Sequence, residues 1–479
     1  MLVCGVAFAA CAQEPVTVKV TAQRDGCVTC HRPLDGEGMA HGIETMHPLV
    51  EGKPLTCVRC HGGNPQATQL SHAHVAPGLD DPVDLRSLAH RELDTVNPAY
   101  LRFINPGDLR VAEEACGGAC HGDTVAAVKT SSMAIKSSSF AAGRFRAGQQ
   151  RLANALKAVQ DATNPTFAVG ERPGTVGAVA RLNEPRIAGD EDRLGPYYDL
   201  FLSKDCGGCH LYRFADEAVS GSHRSSGCSA CHVAYDEDGL SRSADPTMPR
   251  SKAGRPGQHR LIGKPGNEQC TTCHQVGGAR IGLSIQGVRE AASPGYESLD
   301  VVPDTTGRWG LSHGRLIARE HRDKVYDETP SDVHFEAGMH CIDCHTAAEV
   351  HGDGHVYSGG GAALEITCET CHGSTDQDAD FKTRRGTVLE HLKRDANGQV
   401  TLTSKVTGVE HAVPQVRHHV AQAEPGSLLH RSMGRSESGF SHTDRLDCSA
   451  CHSAWVPTCY GCHVEVDMTN LLSCICSIV

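Results

Sequence analysis

Ten times along the 479 residues, two cysteines separated by two residues, or once by three, are followed at once by a histidine. In chain order the first motif is Cys27, Cys30 and His31, and the second is Cys57, Cys60 and His61. The third, Cys116, Cys120 and His121, has the longer spacing. Cys206, Cys209 and His210 form the fourth, Cys228, Cys231 and His232 the fifth, and Cys270, Cys273 and His274 the sixth. Cys341, Cys344 and His345 form the seventh, and Cys368, Cys371 and His372 the eighth. Cys448, Cys451 and His452 form the ninth, and Cys459, Cys462 and His463 the tenth. The pattern absorbs most of the 24 cysteines, and its spacing has a chemical reason. Two thiols can add to the two vinyl groups of a haem, while the adjoining imidazole is carried beneath the ring to ligate iron. Structural zinc also uses paired CxxC units, but neither zinc nor a disulfide framework calls for His directly after every second Cys. At the third motif, Gly117 and Gly118 let the backbone absorb the extra residue and still reach both vinyls. The sequence is therefore expected to carry about ten haem c groups.

That expectation changes what the length implies. A chain of this size would ordinarily divide into about three domains with separate cores. Only 4% of the residues are aromatic and 51 are glycine, so side chains alone fill a core poorly and porphyrins would supply the missing apolar volume. A peptide that holds its cofactor at three points, again and again, draws much of its folding free energy from the attachment. The fold class expected is mostly coil with minor α-helix and little β, a multihaem cytochrome c fold organised around the haems.

Motif spacing divides the chain. Residues 1–12 read as a signal or lipoprotein-type segment, and 25–125 form an N-terminal three-haem region. A helical insertion or linker, 126–204, leads to a second three-haem region, 205–275. A linker, 276–333, precedes a two-haem region, 334–373, and a further linker, 374–440, precedes a C-terminal two-haem region, 441–467. Residues 468–479 form an atypical tail. Ala141 to Ala162, with Phe145, Leu152, Leu156 and Val159 on one face, predicts an amphipathic helix that Asn164-Pro165 stops. Gly386 to Val413 predicts a hairpin around Ala396-Asn397-Gly398.

The formal charge of −12 argues against nucleic acid or anionic lipid as the main partner. Thioether attachment takes place outside the cytoplasmic membrane, and Met1 to Ala10 is a short apolar stretch of signal-peptide character, so export is expected. No basic residue precedes Lys19, which is unusual for such a segment and points to a start further upstream. Phe8-Ala9-Ala10-Cys11 reads as a lipobox that would anchor Cys11, and Ala10-Cys11-Ala12 reads equally as an ordinary cleavage site.

Beyond the ten proximal histidines the chain has nineteen more among its 29, ample for a second axial ligand on every iron. The candidates are His41, His47, His74, His223, His313, His334, His340, His351, His430 and His442. Methionine in that role would raise the potential, but Met39, Met46, Met133, Met339 and Met433 read as packing residues.

Four strings flanking the motifs resemble the large multihaem c-type cytochromes of metal-reducing and related anaerobic bacteria. They are Pro98-Ala-Tyr-Leu-Arg-Phe-Ile-Asn-Pro-Gly-Asp-Leu-Arg110, Ser225-Ser-Gly-Cys-Ser-Ala-Cys-His232, Gly338-Met-His-Cys-Ile-Asp-Cys-His345 and Trp455-Val-Pro-Thr-Cys-Tyr-Gly-Cys-His463. The resemblance covers residues 25–467 and implies electron transport in the periplasm or at the outer membrane, in anaerobic respiration or towards extracellular acceptors. Expected partners are other multihaem cytochromes or a membrane quinol oxidoreductase, with an outer-membrane β-barrel or an extracellular metal acceptor beyond them. The tail from Met468, with a Cys474 and Cys476 pair and no His, departs from the family and reads as a truncated or frame-shifted end, or as a short genuine one.

Three functions fit these features. An electron carrier needs only saturated haems close together. A multihaem reductase of nitrite, hydroxylamine or a sulfur oxyanion needs one open-coordination haem, and the chain has no CxxCK motif, the Lys-ligated variant that marks one such family. A self-assembling, conducting filament subunit would stack terminal haems such as those at His452 and His463.

Overall fold

The computed structural model describes residues 26–31, 55–78, 84–88, 90–168, 170–183, 194–203, 208–215, 223–236, 238–243, 245, 247–274, 284–290, 326–328, 330–452, 464–466 and 476–478. The N-terminal segment with Cys11 and the ligand candidates His41, His47 and His313 lie outside the described residues. So do Cys206 of the fourth motif, all three residues of the tenth, Cys459, Cys462 and His463, and most of the tail.

Most of the described chain is coil and turn, as expected, with short helices and a few short strands set in it, and the longest α-helix there is Ser137–Arg146. The helix expected from Ala141 to Ala162 is not formed as such. It begins earlier, at Ser137, and closes at Ala147, because Gly148 takes φ +69°, a left-handed conformation that glycine adopts at no steric cost. The Gln150 side chain then donates to the Leu152 and Asn154 carbonyls at 2.7 and 2.8 Å, holding a loop where another helical turn would stand. Phe145, Leu152 and Leu156, the intended apolar face, are consequently exposed. Short strands follow instead, with Ala178–Arg181 pairing Lys157–Ala158 in parallel and Ala162–Thr163 antiparallel.

The hairpin forms where its turn residues placed it. Leu392–Arg394 and Val400–Thr403 pair antiparallel, and Glu410–Val413 adds a third strand. Asp395 and Gln399 close the turn with a 2.9 Å backbone bond, and Gly398 supplies the positive φ of +82° that a three-residue loop needs.

Apolar packing is divided among three small clusters. One gathers Leu109, Val128, Ile135, Ala158, Val179 and Val356 among others. A second joins Leu85, Leu93, Val96, Leu101, Val111 and Phe214, and a third lines the three-stranded sheet with Leu389, Leu392, Val400, Leu402 and Val413. Cys228 packs on the first cluster and Cys371 on the third, so motif sulfurs stand at the margins of the apolar packing. Among the described residues no helix is long and apolar enough to cross a membrane.

Candidate functional site

Helical turns form the motifs. Gly26–Cys30, Cys57–His61, Ser229–His232, Asn267–His274, Cys341–Cys344 and Cys368–His372 are each a turn or two of α-helix, and Cys448–Ala450 is a 3₁₀ turn. Residues three apart share a helix face, so both sulfurs of a motif leave on one side, next to the histidine. Caps set where these short helices begin, as where Thr367 and Thr370 bond reciprocally ahead of Cys368. The third motif solves its extra residue with a wider turn: Glu113–His121 is π-helical and kinks at Gly118, whose φ is +36°. A π turn holds one more residue than an α turn, which brings Cys116 and Cys120 to one side.

The sulfurs differ in how far the protein covers them. Cys30, Cys120 and Cys451, the second cysteines of the first, third and ninth motifs, are exposed, whereas their motif partners Cys27, Cys116 and Cys448 are half-buried. The 3₁₀ turn of the ninth motif ends at Ala450, and Cys451 caps it. His452, the neighbour of Cys451, is exposed as well.

A shared arrangement orients the proximal rings. Nδ1–H of His61 donates to the Phe103 carbonyl, that of His232 to Ile262 and that of His372 to Pro414, each at 2.8 Å. His31 and His345 direct the same atom to the carboxylates of Asp245 and Glu349 at 2.7 Å. With Nδ1 carrying the proton, the Nε2 lone pair is left for a metal, and the outer partner raises its basicity. Burial holds His61, His274, His351 and His372 below the ordinary imidazole value, favouring the neutral form that a ligand requires. Burial works against protonation of His345 as well, but the Glu349 carboxylate outweighs it and its pKa is raised.

Four proximal rings face a second imidazole. Ring centres are 6.1 Å apart for His31 and His74, 6.0 Å for His61 and His259, 5.9 Å for His232 and His351, and 6.0 Å for His372 and His334. Aromatic rings packed on one another span about 4.5 to 7 Å between centres. Two imidazoles on opposite faces of one metal, at about 2 Å per bond, stand with centres about 6 Å apart. At His372 a small hollow opens on the ring, lined by Pro414, Val416, His419, Val420, Leu429 and Met433. The donor sets thus suit haem iron at four motifs, on geometry that does not involve the cysteines. Among the described residues no three His, Cys, Asp or Glu side chains converge as a bare metal site.

Three ligand candidates from the sequence, His74, His334 and His351, stand in these pairs. Others are placed differently. His340 caps the Cys341–Cys344 helix and accepts from the Asn267 amide at 3.3 Å, and His430 accepts from the Gly426 amide at 3.4 Å. His442 is exposed and rests edge-on against Phe440 at 5.4 Å, and the His223 ring packs over Gly239. His259, the partner of His61, was not among the candidates, nor was His90, which touches His210 at a shorter 4.9 Å. His90 Nε2 is bonded to Gln160 Oε1 at 3.0 Å, and burial pushes the His90 pKa down to about 4, leaving it neutral. Beside it Arg110 stacks on Tyr212 and pairs with Asp94 at 2.6 Å. His210 itself is buried.

The motifs are stitched to one another in an order that is not that of the sequence. Arg102 donates to the carbonyl of Cys60 at 2.9 Å and to Glu114 at 3.3 Å, joining the second and third motifs. The Pro106–Gly107 peptides serve both the third and fifth, taking Cys116 Sγ at 4.0 Å and the Cys228 amide at 2.8 Å. Asn267, on the sixth motif's helix, accepts from the amide and thiol of Cys341 in the seventh at 2.8 and 3.1 Å. Glu349 holds His345 with one oxygen and the Ile366 amide, just ahead of the eighth motif, with the other at 2.7 Å. Cys448 of the ninth donates to Glu369 of the eighth at 3.4 Å. Along the same path the thiols of Cys116 and Cys228, Cys270 and Cys341, and Cys368 and Cys448 shift one another's ionisation. The fourth motif is linked to the line in the same way, through Cys209 and Cys273. Compared with protein-family models, curated proteins and solved structures, the chain matches none.

Proposed function

We propose that the chain is a decahaem c-type cytochrome that carries electrons between redox partners in the periplasm or at the outer membrane. The observation that carries this reading is the set of four histidine pairs about 6 Å apart, each with its proximal member belonging to a cysteine motif. The residues divide the work. Cysteines tether, paired imidazoles close both faces of the iron, and carbonyls or carboxylates at Nδ1 fix ring orientation and tune ligand basicity. Bound haem would supply the one-electron chemistry, while the stitched motifs keep neighbouring groups close enough for exchange. An acidic protein of this kind suits basic faces on partner cytochromes or a quinol oxidoreductase.

Mature protein, denatured and reduced, is expected to offer no motif cysteine to iodoacetamide, and its pyridine haemochrome should give about ten haems per chain. Thioethers survive reduction, whereas disulfides and zinc thiolates would not. Alkylation of the motif thiols, or a colourless product, rejects the reading.

One position favours a second reading, a multihaem reductase of nitrite, hydroxylamine or a sulfur oxyanion. His90 stands too near His210 to take the far side of an iron bound there, and its Nε2 is committed to Gln160. Tyr212, Arg110 and Asp94 place proton-bearing and charged groups beside it. Uptake of one carbon monoxide by the reduced, unaltered protein favours that reading, and no uptake leaves the carrier alone.

A further inference from the structure

Arg224 is 2% exposed, and its charge has an unusual setting. Its Nη1 donates to the carbonyls of Arg213, three residues after His210, and of Ser225, three before Cys228, at 2.8 and 3.4 Å, Cys273 is among the groups that act on its charge, and Nε is buried without a partner. Among the described residues no carboxylate pairs with it. A buried cation is ordinarily neutralised by an anion, because leaving it uncompensated is costly. What surrounds this one instead is sulfur from three motifs, Cys209 of the fourth, Cys231 of the fifth and Cys273 of the sixth. Arg213 and Lys136 add positive charge around the same place, facing His210.

We propose that Arg224 is a fixed positive charge at the meeting point of the fourth, fifth and sixth motifs and makes the haems there the most readily reduced of the set. The inference rests on the haem reading above. Once the sulfurs are thioethers they carry no charge, so the guanidinium would act on the haems themselves, on their irons and their propionates. A ferric haem has one more positive charge than its ferrous form, whatever its second ligand, and a cation held in a low dielectric disfavours the oxidised state. The step concerned is exchange of one electron between neighbouring haems, the donor going from ferrous to ferric and the acceptor from ferric to ferrous, with no bond made and no proton moved. The junction therefore collects electrons arriving along the line and holds them for release.

Spectroelectrochemical titration of the mature protein, Arg224→Gln and Arg224→Lys tests this, after haem has been counted in each. With all haems present, the glutamine variant should lose its most positive component to a more negative potential, and the lysine variant should keep it. In the unaltered protein that component should hold still as ionic strength rises from about 0.01 to about 1 M, a change that shortens the screening length from about 30 to about 3 Å. A fully loaded glutamine variant with an unchanged profile overturns the proposal. A most positive component that drifts with salt as the others do overturns it equally, and that measurement decides if neither variant folds. Absence of haem from the unaltered protein would instead sink the reading on which the proposal stands.

Discussion

Made in a host that cannot attach haem, the chain is expected to show no cooperative heat absorption and no fixed near-ultraviolet circular dichroism. An ordinary domain takes up about 0.7 kcal/mol per residue on unfolding near 60 °C, because one continuous apolar core melts as a unit. Here the described apolar side chains are split among three clusters, the smallest of five buried residues, with cysteine–histidine turns at their margins. Ordering each residue's backbone costs about 1 to 2 kcal/mol, and clusters of this size offset that cost only locally. Attachment at three points per motif would add the missing cohesion, as metal binding does for small metal-dependent domains. Calorimetry of matched haem-free and mature samples checks this. A single sharp transition in the haem-free chain would show that its side chains suffice.

Replacing His259 by alanine is expected to leave the haem count unchanged and to let the reduced protein take up one more carbon monoxide than the unaltered chain. The ring faces His61 at 6.0 Å, and His61 is locked by its bond to the Phe103 carbonyl, so losing His259 opens one face without freeing the other. Soret titration with carbon monoxide counts the sites. Identical uptake by variant and parent would remove His259 from the ligand set.

His259 also shows where sequence reasoning stops. Motif positions were legible because two sulfurs and an imidazole must leave one helical turn together, and that is a local requirement. Even so, the pattern is silent on cover: nothing in its spacing separates exposed Cys451 from half-buried Cys371. His74 and His334 sat close enough to motifs to be suspected, and His351 follows the seventh motif although it serves His232 of the fifth. The partner of His61 comes from a loop far along the chain, where no spacing rule distinguishes it from His223 or His340. The hairpin was readable from Asn397-Gly398, whose backbone needs are specific. The long helix was misread because its apolar period continued beyond Ala147, while Gly148 and the Gln150 side chain, both local, ended it. The departure at His210 rests on a Gln160 contact that composition cannot reveal.

The sulfur atoms that act on one another between motifs have a consequence before any porphyrin arrives. Cys116 and Cys228, or Cys368 and Cys448, influence one another's ionisation in the finished shape, and if the chain is exported as proposed its free thiols would enter a compartment that favours disulfides. A precursor that took up its final form early would thus be staked shut with the wrong cross-links, and its vinyl-seeking sulfurs spent. A loose bare polypeptide would then be protective, keeping these atoms apart until each had been claimed by haem.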